Sequence, residues 1–308
     1  MRDGQRIFDF RNRPPLPPYA QLFEIKRDLL GPPMKRFGVE MWFRWLTKSL
    51  SLYGNRGGAT MTASMRMVGQ PGAMEQWWRE IEAAGIDAVC SPGRLTEDRG
   101  KIDAATLADL QRQYPQRFYG LAPADLDQDA AVTVAECEQA VTQLGLRGIN
   151  IEPGIRKRGG PAHVDNPDLF PIYEAMIALD APVMVYTSAF AGPNPYFSND
   201  MEPYDRLLCN FPKLKIVLGH GGYPRVRQVL ETAPRHPNLF ICQDIYSFWP
   251  AGHLYLGQID KLQDQFVFGT AYPFSSMAEP VEDTLKLPLS VTARVKYLWG
   301  NARRLLKL

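Results

Sequence analysis

Polar side chains that could do chemistry stand at the ends of short apolar runs. Arg11 and Arg13 follow RIFDF (6–10), Arg94 follows DAVCS (87–91), and Glu152 lies near the end of RGINIEP (147–153). Tyr186 lies in PVMVYT (182–187), His220 ends KIVLGH (215–220), Asp244 ends NLFICQD (238–244) and Tyr272 ends FVFGTAY (266–272). His220 is the proton carrier of the set, because imidazole takes up or gives up a proton near neutral pH. Glycines on both sides of it leave room for a substrate to approach. Asp244 is a candidate base, or an ion-pair partner for arginine. Arg11 and Arg13 are permanently charged forks that bind a carboxylate through two parallel N–H bonds. Tyr186 and Tyr272 are candidates to orient a substrate or donate to a developing oxyanion.

Side chains alternate along a strand, so residues 9, 11 and 13 are expected on one face, with both arginines aimed into the site. A buried guanidinium is costly unless an anion accompanies it. Asp9, Glu152 and Asp244 are the internal candidates, and a substrate carboxylate is the external one. Arg94 and Glu152 complete the expected substrate-binding set. The bland alternative is an internally paired cluster that plugs a site without turnover, with His220 bonded to a strand carbonyl.

The elements that must hold these residues follow from hydropathy. Eight strand-like runs are near-continuously apolar, as parallel strands covered on both faces are. Helical patterns at 74–85, 130–145 and 167–180 separate some of them. Strands alternating with helices predict an α/β fold, a (β/α)8 TIM barrel, and 308 residues suit one such domain spanning 1–308. No G-x-G-x-x-G follows the first run, which argues against an open dinucleotide-binding sheet. A long insertion at 14–73 distorts the simple alternation. Its patch at 41–50 sets Trp42, Trp45 and Leu46 on one helical face, which suggests packing on the barrel, a lid or a subunit contact, and 55–58 is a candidate hinge.

Composition narrows the function. The net charge is +2 with no basic run, so no nucleic-acid partner is expected. No stretch reaches 18 uncharged apolar residues, so no membrane partner is expected. Four dispersed cysteines and the lack of a signal-like N-terminus suggest a cytoplasmic protein with free thiols, Cys90 and Cys242 being small core residues.

A family resemblance is carried by AAGIDAVCSPGR (83–94), GLRGINIEPG (145–154), PVMVYTS (182–188), KIVLGHGGYP (215–224), FVFGTAYPF (266–274) and YLWGNARRLLKL (297–308), in addition to the first run. The chain resembles the amidohydrolase-related branch of the amidohydrolase superfamily, which includes decarboxylases and lactonases of small acids. The resemblance implies a metal held by His-x-His on strand one, a His on strand five and an Asp on strand eight. The matching positions here are Arg11, Arg13, Tyr186 and Ala271, and a family histidine on strand four is matched by Glu152. His220 matches a histidine that serves as acid or base, and Arg94 matches an arginine near the substrate. Arginine does not ligate metal, so no metal and no cofactor are expected. The expected function is a metal-independent hydrolase or lyase acting on a small carboxylic acid or lactone. A metal-free lactonase mechanism that uses the strand-eight Asp does not transfer, because Ala271 stands there. Two alternatives are a non-catalytic barrel subunit paired with a metal-bearing paralogue and a small-anion binding protein. A homo-oligomer or such a hetero-oligomer is the expected assembly.

Overall fold

The computed structural model describes residues 2–20, 66–95, 100–188 and 196–308. Among these residues seven strands form one all-parallel sheet in sequence order: β1 (Phe8–Asp9), β2 (Ala88–Pro92), β3 (Phe118–Pro123), β4 (Ile149–Ile151), β5 (Val183–Tyr186), β6 (Ile216–Gly219) and β7 (Leu239–Cys242). Each short apolar run of the sequence except the last is a strand. The eighth run makes one isolated parallel bridge, Ile241 to Phe266, yet still joins the two sheet edges. Val267 N donates to Ile241 O on β7, and Phe10 N donates to Phe268 O beyond β1. The strands curl into a distorted (β/α)8 barrel whose eighth stave is held by isolated bonds.

Alternation along the strands builds two apolar layers. Phe8, Ala88, Cys90, Leu121, Met184, Val217, Phe240 and Cys242 fill the interior, and Leu305 and Leu306 of the closing helix Asn301–Leu306 pack against them. Ile7, Val89, Val183, Ile216 and Ile241 face the surrounding helices, which supply Trp77, Leu107, Ile172, Leu207 and Val229. All four cysteines are free, and Cys90, Cys137 and Cys242 are buried.

The expected helices are present with shifted ends. Ala73–Ala84 stops at Gly85, whose φ of 74° suits glycine. The 130–145 pattern becomes Ala130–Thr142, and the 167–180 pattern becomes a short turn followed by Phe170–Ala178, with Pro171 in the first helical turn. Ala104–Gln113, capped by the Asp103 carboxylate on Thr106 N, is a helix the periodicity did not reveal. Among the described residues no helix is long and apolar enough to cross a membrane. The aromatic patch at 41–50 and the turn at 55–58 lie outside the described residues.

One buried carboxylate helps close the barrel. Asp9 accepts from Thr270 N at 2.9 Å, Thr270 Oγ1 at 2.6 Å, Asn12 Nδ2 at 2.7 Å and Arg11 N at 3.2 Å. Asp9→Ala strands these buried donors, and each orphan costs roughly 1–3 kcal/mol. Urea unfolding should show a loss of about 3 kcal/mol or more. A loss below about 1 kcal/mol would mean that Asp9 does not hold the closure.

Candidate active site

The chain bends directly after β1, which separates Asp9 from the arginines. Phe8 and Phe10 both belong to the interior layer, so Asp9 points away from it and is consumed by Thr270 and Asn12. The expectation that residues 9, 11 and 13 share a face fails because regular strand geometry ends at Asp9. Arg11 and Arg13 nonetheless turn inward, 1% and 2% exposed. Ala271 N donates to Arg11 O and Arg13 N donates to Tyr272 O, so the eighth stave fixes both backbones.

Arg11, Asp244 and His220 form a compact unit. Arg11 Nη1 donates to Asp244 Oδ2 at 3.1 Å, and His220 Nδ1 lies 2.9 Å from Asp244 Oδ1. Arg11 Nη1 also lies 3.3 Å from His220 Nδ1. The chemistry of the partners assigns the tautomer. An ionised carboxylate only accepts, so Nδ1 carries the proton toward Asp244 and Nε2 keeps its lone pair. Burial, and then the positive charge of Arg11, lower the His220 pKa to about 4, although Asp244 opposes them. The ring is therefore neutral at pH 7. Burial pushes Asp244 up, but His220 and Arg11 outweigh it and hold the carboxylate below its ordinary value. His220, Asp244 and Ala271 have φ of 76°, 39° and 60°, a left-handed backbone that such residues rarely adopt outside constrained sites.

Arg94 takes the second acid. Its Nε and Nη2 each lie 2.8 Å from Glu152 Oε1, while Asn150 Nδ2 holds Gly93 O beside it. Burial lowers the Arg94 pKa, but Glu152 more than compensates and raises it. Of the internal anions expected for Arg11 and Arg13, only Asp244 serves. Glu152 belongs to Arg94, and Arg13 has no acidic partner among the described residues. Burial, then Arg11 and Arg94, lower the Arg13 pKa to about 10, which still leaves it cationic at pH 7. Nε and Nη2 of both Arg11 and Arg13 are buried without an acceptor. Among the described residues three guanidiniums thus face two carboxylates, which leaves one positive charge over.

Tyr186 is the hub of this cluster. The guanidinium carbons of Arg94, Arg11 and Arg13 lie 4.9, 5.4 and 6.0 Å from its ring centre, and the His220 ring meets it edge-on at 5.0 Å. Burial raises its pKa, but Arg94, Arg11 and Arg13 together bring it below the ordinary phenol value. Tyr272 is not part of the cluster. Its ring packs in the sheet–helix layer, and the nearby charge it feels is Glu80, so its expected role as a substrate contact is withdrawn. Its backbone carbonyl fixes Arg13 instead. The sequence reading missed Tyr19, whose ring lies 5.8 Å from Arg13 and whose hydroxyl bonds Pro92 O. The signal was its place soon after Arg13, at the end of PPLPPY. Tyr246, edge-on to His220 at 5.4 Å and bonded to Ser188, was also missed. A cavity of about 360 Å³ opens beside the Arg94–Glu152 pair, lined also by Asn150, Lys101 and Lys157.

Among the described residues the mouth does not bring together three His, Cys, Asp or Glu ligand atoms, the set a divalent metal needs. Three guanidiniums surround the mouth, both Asp244 oxygens are engaged, and His220 Nδ1 is engaged with Asp244. Among the described residues the one group of three clustered His, Cys, Asp or Glu ligand atoms is Asp205, Cys209 and His236. That group lies on and beyond helix Glu202–Asn210, and Arg235 shares the Asp205 carboxylate.

The chain belongs to the amidohydrolase family, whose profile matches residues 79–308. An uncharacterised TIM-barrel protein of Bordetella bronchiseptica is 30% identical, with 98% of each chain covered and a TM-score of 0.76. A gamma-resorcylate decarboxylase of Polaromonas sp. is 24% identical over 74% of this chain and 82% of its own length. A 2-keto-4-carboxy-3-hexenedioate hydratase of Sphingobium sp. is 30% identical, but the match spans only 38% of this chain and 38% of that protein.

The unpaired Arg13 makes a test of stability. A buried cation without an anion costs several kcal/mol, so Arg13→Met, which keeps most of the volume, should stabilise the ligand-free protein by roughly 1–3 kcal/mol. Urea unfolding at pH 7 reads this directly. A clear destabilisation would show that Arg13 has a partner in the free protein.

Proposed function

We propose that this protein is a metal-independent hydrolase or lyase that uses water on a small carboxylic acid or carboxylate-bearing lactone. The observation that carries the reading is the pairing of buried, unfilled Arg11 and Arg13 edges with the neutral His220–Asp244 dyad. Arg13 holds the substrate carboxylate, because among the described residues it is the cation of the cluster without an acid. Arg11, anchored by Asp244 next to His220, presents Nε–H and Nη2–H to the carbonyl oxygen that gains charge during attack. Such donors are preorganised in a dry site, where each is typically worth 10²–10³ in rate. His220 Nε2 removes a proton from water, and Asp244 stabilises the imidazolium that results. The guanidiniums supply the positive charge that a metal supplies elsewhere in the family.

The His220 pKa favours water-using reactions over decarboxylation. A ring that is neutral at pH 7 is a base in its resting form, which suits it to taking a proton from water. The curated relatives include a hydratase and a decarboxylase, and the dyad fits the hydratase-like or lactonase-like chemistry better.

The test is a panel of small carboxylates and lactones, read first by thermal shift and then by turnover. A ligand at 100 times its Kd stabilises by about 2.7 kcal/mol. Activity should survive exhaustive chelation, and dependence on added manganese or zinc would overturn the metal-free reading. Stabilisation without turnover would identify a binding protein instead. His220→Asn should lower kcat by roughly 10²–10⁴. Protonation of His220 removes the base, so kcat/KM should fall with acid only near pH 4. An acid limb near pH 6.5 would mean that a solvated histidine, or another group, is the base.

A further inference from the structure

Water activation needs a base, and the same reaction needs a proton delivered to the departing oxygen or carbon. Resting on the reading above, we infer that Tyr186 is the catalytic proton donor, working beside His220 on the same wall of the site. Register places it there: Tyr186 pairs with Gly219, the residue before His220, and the two rings meet edge-on at 5.0 Å.

The hydroxyl bonds and the surrounding charge together distinguish it from the other buried tyrosines named so far. Tyr19, Tyr173, Tyr204 and Tyr255 each donate to a backbone carbonyl, Tyr246 is tied to Ser188, and Tyr297 accepts from Gln243. Tyr272 has an unpaired hydroxyl but lies in the sheet–helix layer. The Tyr186 hydroxyl has no hydrogen-bond partner among the described residues, and three guanidiniums surround its ring. Those cations stabilise the phenolate left after proton donation, and no fixed acceptor competes for the proton. A tyrosine needed only for packing would not require this concentration of charge.

The steps balance for a lactone. Water oxygen bonds to the carbonyl carbon, one water proton passes to His220 Nε2, and the carbonyl π pair moves onto its oxygen beside Arg11. The intermediate collapses, the ring C–O bond breaks, and the leaving oxygen takes the Tyr186 proton. The hydroxy acid departs, and the imidazolium proton returns to the phenolate, directly or through water. For hydration of a double bond the same base and acid apply, with carbon taking the Tyr186 proton.

Ultraviolet titration of the wild-type holo-length protein tests the inference without a known substrate. One phenolate should appear below the ordinary tyrosine range, because burial raises most other buried phenols. Tyr186→Phe should remove that step. If no such step exists in the wild type, or if Tyr186→Phe leaves it in place, the inference fails. With the lactone or acid identified by the panel, Tyr186→Phe should lower kcat by about 10²–10⁴ while KM changes less than about threefold, and the basic limb of kcat should vanish. A variant that keeps its rate while His220→Asn loses it overturns only the Tyr186 assignment. If both variants keep their rates, the water-activation reading falls as well.

Discussion

Three guanidinium groups lie around one tyrosine ring in a site nearly closed to water, and the rest of the mouth is organised by the cost of that arrangement. Asp244 and Glu152 offset part of it, each bound to a different arginine. Arg11 is held so that its remaining edge is free, Arg94 is locked against Glu152, and Arg13 is left facing the cluster. Burial makes each interaction strong and each omission expensive. On the proposed reading the site is set for an anion before one arrives.

The same crowding sets the proton chemistry. Near solvent, a histidine bonded to aspartate tends to gain basicity. Here desolvation and Arg11 prevail over Asp244, and the ring stays neutral. The cations that discourage a charged His220 also favour an ionised Tyr186. One charge distribution therefore pushes two neighbouring groups toward complementary duties, which is the pattern expected where one residue removes a proton and another supplies one.

Much of the architecture was legible because hydropathy records burial. Parallel strands covered on both faces read as apolar runs, and the polar residue after each run marked the barrel mouth. What hydropathy does not record is a bend. The alternation rule placed Asp9 with Arg11, but the strand ends between them, so Asp9 became part of the scaffold. Tyr272 misled for a similar reason, since position after a strand does not fix side-chain direction where the backbone turns left-handed at Ala271. The partner of each arginine was also hidden. Three arginines and three acids allow several pairings, and only distance in the fold separates them.

The Asp9–Thr270 contact joins residues 261 positions apart. Until residue 270 has been made, β1 and β7 are both open edges, each with a row of unpaired amides and carbonyls. β1 must wait for the segment around Thr270 before the Asp9 carboxylate gains two of its four donors. Such long-range closure slows folding and leaves the half-built sheet open to pairing with other chains. The assembly of the arginine cluster then follows that closure, since the backbones of Arg11 and Arg13 are fixed by the same segment.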